Sequence, residues 1–218
     1  MRKRSERDRA LLDVARQCSH QVSVLFYKKL GIDNAQIALW TSFLYLPWNI
    51  KMFWGPLIDI YSTKRNWILY TQFAMMCCLS CLALSLQLPN FFFISLSVLA
   101  VGAFISATQD IVVDGFYMLT LAKEEQALFV GVRSTFYRIA MIFGSGGLVF
   151  LAGQLEVSLK DVALSWTIAI GLSASVFAVI FIFHWFTLPV FNSDSEKSLD
   201  LPIKSFYFEI ITSYFKQE

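Results

Sequence analysis

The chain has 218 residues, of which 56% are hydrophobic and only 16% charged, and its mean hydropathy is +0.57. A soluble domain carries about 25% charged residues, so an ordinary soluble globule is excluded. The net charge of +2 comes from basic residues scattered over short loops and the N-terminus, without the concentrated face that nucleic-acid binding needs.

In chain order, residues 1–21 are a charged segment opening Met1-Arg-Lys-Arg-Ser-Glu-Arg-Asp-Arg9, with no apolar core after it to make a signal peptide. Residues 22–27 are apolar, but six residues reach only ~9 Å as a helix and cannot cross a bilayer. Residues 28–34 read as a loop. Apolar blocks near the 20 residues that a membrane helix needs then follow at 36–58, 67–87, 91–118, 127–153 and 164–188. Pro47 and Pro56 are kink sites in the first of these, and 88–90 is a tight turn. Residues 192–202 are polar linker. Ile203, Phe206, Tyr207, Ile210, Ile211 and Tyr214 recur at helical spacing beyond it and predict an interfacial helix in the 189–218 tail.

Lys64 and Arg65 sit between the first two spans and Lys123 between the third and fourth, which places those loops and the 189–218 tail in the cytoplasm. Alternation then leaves Lys28, Lys29 and the basic N-terminus outside, against their charge preference. One further crossing upstream of Lys28 removes the conflict, so 22–27 is expected to be the outer end of a lost or replaced first helix. Cys77, Cys78 and Cys81 share one apolar span with no His beside them, and read as helix-packing residues rather than a metal site. Gly144, Gly146, Gly147 and Gly153 are expected to permit close helix approach. His184, beside Trp185, reads as an interfacial anchor.

The candidate pathway is defined by charges inside these spans. Asp110 and Asp114 are four residues apart and share a helix face. Lys51 and Arg133 each lie roughly 10 Å from the cytoplasmic end of their spans, and Arg138 lies near the midplane. Ionisable groups are costly in hydrocarbon and commonly mark a substrate or ion path. Lys51, Asp110 and Arg133 are therefore expected to form one charged layer with Arg138 above it, and Gln109 and Tyr137 are candidate lining residues. An ion-pair network that only sets helix register is the plainer alternative. Three positive groups against two negative favour an anionic substrate; protonation of either Asp would suit proton coupling instead.

Gly55-Pro-Leu-Ile-Asp59, followed by Lys64-Arg65, resembles the gating-loop signature of the major facilitator superfamily, although Ile60 replaces the usual Arg. Leu46 to Asp59, Arg65 to Gln72, Ser106-Ala-Thr-Gln-Asp-Ile-Val-Val-Asp114 and Tyr137-Arg-Ile-Ala-Met141 together resemble the AmpG-type muropeptide permeases. The acetyl-CoA transporters, a related branch, share the Ser-Ala-x-Gln-Asp-x-x-x-Asp pattern. The resemblance implies an all-α membrane protein: the N-terminal six-helix half of a major-facilitator fold, with five clear transmembrane helices and a truncated or altered first one. It further implies proton-driven uptake of anhydromuropeptide across a bacterial inner membrane, with the lipid bilayer, protons and a complementary C-terminal six-helix half as partners and with no cofactor or metal. A non-transporting half is the first alternative. A membrane enzyme is disfavoured, because no nucleophile stands beside a base and no metal cluster is present.

Overall fold

In a computed structural model of the chain, the structure describes residues 23–55, 58, 63–120, 135, 138, 139 and 142–188. These residues are helical apart from short turns. Helix α1 covers 23–29, and Gly31, at φ +82°, turns the chain into α2, Asn34–Phe43. The Asp33 carboxylate caps α2 by accepting from the Ala35 N–H at 3.0 Å. Helix α3, Leu46–Ile50, leads into a 3₁₀ turn at Lys51–Phe53. The long helices are α4, Lys64–Ser85, α5, Phe91–Thr120, and α7, Val162–Thr187. Between the last two, a wide π-helical stretch at Ile142–Gly147 runs into α6, Leu148–Leu159. Among the described residues, α4, α5 up to Phe116 and α7 are long and apolar enough to cross a membrane.

The 36–58 block is not one continuous helix. The hydrogen-bonded helix breaks at Leu44 and Tyr45, because Pro47 has no N–H to donate to the carbonyl four residues back, at Phe43, where α2 ends. Helix α4 starts at Lys64, earlier than the expected 67, because the Thr63 hydroxyl accepts from the Asn66 N–H at 3.3 Å and caps it. Residues 1–21, the tail from 189 and the stretch 121–134 lie outside the described residues.

Helix α4 is the hub. It packs along α5 on one side and α7 on the other, and α6 packs on α7. The main core joins Phe26 and Tyr27 of α1 to Met75 and Leu82 of α4, Phe92 and Leu99 of α5, and Trp166 and Phe177 of α7. Helix α1 is held inside it by the Tyr27 hydroxyl, 2.7 Å from Ser95 Oγ, and by ring contacts to Phe92 at 5.0 Å and Trp166 from Phe26 at 5.9 Å. A smaller cluster of Ile58, Ile68, Val112 and Val113 joins the opposite ends of α4 and α5.

Close approach to the described residues is absent at three of the four glycines expected to provide it. Among the described residues, a Cβ at Gly146, Gly147 or Gly153 would meet nothing within 4 Å, so these do not seat a neighbouring helix. Gly102 does, since a Cβ there would lie 3.0 Å from Cys78 Sγ. Only Cys78 of the cysteine trio packs in this way, donating to the Val98 carbonyl at 3.2 Å; Cys77 and Cys81 are exposed.

Candidate functional site

Lys51 opens the 3₁₀ turn that follows α3 within the broken first span, and its side chain reaches α5. Its ammonium donates to Asp110 Oδ2 at 2.5 Å, across 59 residues of sequence. The carboxyl side chain is 7% exposed and the lysine side chain 32%, so the anion is enclosed while the cation remains accessible. Gln109, next along α5, is buried, and its Nε2 has no hydrogen-bond partner among the described residues. Ser106 lies buried one turn before Asp110. Beside the ion pair, the Trp54 indole N–H donates to Thr108 Oγ1 at 3.2 Å.

One turn along α5, Asp114 is half-buried. The next residue, Gly115, is where the Lys64 side chain lies: a Cβ at Gly115 would come within 3.0 Å of Lys64 Cε and Nζ. Lys64 is consequently buried, 8% exposed, although it borders a loop. Arg65 turns the other way. Its Nε donates to the Leu188 carbonyl at 3.0 Å and its Nη2 to the Trp185 carbonyl at 3.2 Å, which satisfies the C-terminal end of α7. Gly55 rests near Ile111, 3.8 Å from its would-be Cβ.

Of the residues singled out from sequence, the structure therefore brings together Lys51 and Asp110, and places Gln109, Asp114, Lys64, Arg65 and Gly55 along α5 or the adjoining end of α4. Arg138 is exposed. Arg133, Tyr137 and Asp59 lie outside the described residues, and with them the arginine side of the expected charged layer.

Sequence reasoning missed one buried polar contact entirely. His184 is 1% exposed, and its Nδ1 lies 2.5 Å from Nε2 of the fully buried Gln72. It is a contact between α4 and α7 rather than an interfacial anchor; Trp185 beside it is the exposed residue. The signal was available in Gln72, an amide in the middle of an apolar span that needs a partner from another helix. Trp54 was likewise passed over, as one aromatic among many.

The sequence profile of the Major Facilitator Superfamily matches residues 21–217. Among curated relatives, an uncharacterized protein of Haemophilus influenzae is 30% identical over 63% of this chain and 32% of its own length. The "Putative transporter AmpG 4" of Rickettsia felis is 28% identical over 73% of the chain and 38% of that protein. The anhydromuropeptide permease of Escherichia coli is 31% identical over 48% of the chain and 22% of the permease. The chain thus spans less than two fifths of the length of these relatives. Its long apolar helices and the span of the profile match make it a multi-pass membrane protein of a transporter family, not of an enzyme family. The chain belongs to the Major Facilitator Superfamily.

Proposed function

We propose that the chain forms the N-terminal six-helix half of a proton-coupled permease carrying an anionic sugar-peptide of the anhydromuropeptide class across a bacterial inner membrane into the cytoplasm. Lys51, Arg133 and Arg138 contact the anion. Asp110 and Asp114 serve as ion-pair partners or proton carriers, with Gln109 and Tyr137 along the same path. Gly55, Asp59, Lys64 and Arg65 form the cytoplasmic gating loop. A complementary six-helix half, in the same or a separate chain, completes the pathway, and the short coverage of the relatives supports that need.

The observation that carries this reading is the unequal exposure of the Lys51–Asp110 pair. A proton arriving on Asp110 removes the negative charge that holds Lys51, and the accessible ammonium is then free for an incoming carboxylate. Proton and anion are bound together by that exchange, as symport requires. The name of the Escherichia coli relative supports the substrate class. Acetyl-CoA or another anionic metabolite would use the same charges, and uptake assays with competing anions separate these.

The test is uptake of labelled anhydromuropeptide by membrane vesicles, with and without a protonophore. Lys51→Met is expected to raise KM for the anion about tenfold, the equivalent of one lost charged contact. Asp110→Asn is expected to abolish accumulation driven by a pH gradient. Uptake by both variants that matches the native protein at every pH would dismiss the assignment.

A further inference from the structure

Trp54 stands three residues beyond Lys51 on a 3₁₀ turn, and its N–H donates to the Lys51 carbonyl at 3.3 Å. Side chains three apart on such a turn eclipse, so the indole and the ammonium project from the same side toward α5. The indole plane is fixed twice. Its N–H is engaged by Thr108 Oγ1 at 3.2 Å, and its ring meets Phe104 at 5.7 Å between centroids with the planes 38° apart. Thr108 is itself held by donating to the Phe104 carbonyl at 2.9 Å. Phe104 remains 47% exposed and Trp54 half-buried. Two aromatic faces are therefore held in place beside a salt bridge whose cation is accessible.

This combination selects among ligand chemistries. An inorganic or small carboxylate anion would use the ion pair and ignore the rings, whereas an acyl chain would use the rings and leave the charges unmatched. A pyranose uses both. Its C–H face carries partial positive charge that suits the negative face of an aromatic ring, and its rim of hydroxyls needs a donor and an acceptor. With the indole N–H already occupied by Thr108, Trp54 offers its face instead of a hydrogen bond.

We propose that Trp54 and Phe104 form a stacking platform for a pyranose ring, with the accessible Lys51 ammonium, held in place by Asp110, bonding polar groups on the rim of that ring. This rests on the reading of Lys51 and Asp110 as part of the substrate path, and it assigns that path a sugar-specific subsite.

The test is equilibrium binding to the purified full chain of two probes, an anhydro-amino-sugar disaccharide and a sugar-free acidic peptide. Trp54→Leu and Phe104→Leu are each expected to weaken disaccharide binding about tenfold, in line with one lost aromatic contact. Peptide binding should stay unchanged. Trp54→Phe, which keeps an aromatic face, should retain most of the disaccharide affinity, and it carries the comparison if Trp54→Leu fails to fold. Disaccharide affinity unaltered by both leucine variants overturns the platform. A native chain that binds the peptide but not the disaccharide also overturns it, while leaving anion transport standing. Binding of neither probe sinks the platform and the substrate class together.

Discussion

Lys51 and Asp110 show how far a single ion pair depends on its surroundings. Asp110 sits on a face of α5 that is otherwise packed with Ala103, Ala107 and Val113, so its carboxylate is removed from water. Removing Lys51 takes a charged hydrogen bond from an enclosed carboxylate, which costs more than a neutral contact would. Lys51→Met alone is therefore expected to destabilise the fold by about 1–3 kcal/mol. Adding Asp110→Asn should return part of that loss, with a coupling of about 0.5–3 kcal/mol in a double-mutant cycle. Reversible unfolding in mixed detergent micelles measures both, and strictly additive effects would mean that the two residues do not act as a pair. At the same scale, Gly115 matters for what it lacks: without a Cβ it leaves room for the Lys64 side chain against α5.

Among the elements, α4 determines how the others are held. Its first turn reaches α5 through Lys64 and the end of α7 through Arg65, and Gln72 meets His184 two turns further along. Helix C-termini leave carbonyls without intrahelical partners and carry partial negative charge, so a guanidinium across Trp185 and Leu188 answers both needs. Arg65→Met is expected to cost about 1 kcal/mol and to free the last turn of α7, where the Leu188 N–H donates to the His184 carbonyl at 3.0 Å. Hydrogen exchange of the amides from His184 to Leu188 reads this directly. They should exchange faster in the variant while the middle of α4 keeps its protection. Unchanged exchange would show that the arginine does not hold the helix end.

At the scale of the whole molecule, two contact clusters mark the two ends of the described helices. Lys64, Arg65, Gly115 and Leu188 meet at one end. At the other, Lys29 pairs with Glu156 at 3.1 Å and Gln87 bonds Thr167 at 2.9 Å. The distribution of basic residues predicts that the first end faces the cytoplasm. In intact cells, a cysteine placed at Lys160 is then expected to react with a membrane-impermeant maleimide, and one placed at Lys123 to stay unreactive until the membrane is opened. The reverse pattern would invert the orientation. The sequence by itself determined the class of the molecule, since blocks of about 20 apolar residues admit few states other than membrane helices. Its four separated motifs also pointed to the superfamily that the profile match establishes. It marked the ionisable residues as well, because charge inside an apolar block is visible without any fold. Tertiary structure alone decided which of them meet. Lys51 reaches Asp110 only because the first span breaks into a 3₁₀ turn against α5, and His184 finds Gln72 only because α4 packs along α7. Contacts between residues 59 or 112 positions apart are set by how helices pack, a property of shape that no local pattern of residues records.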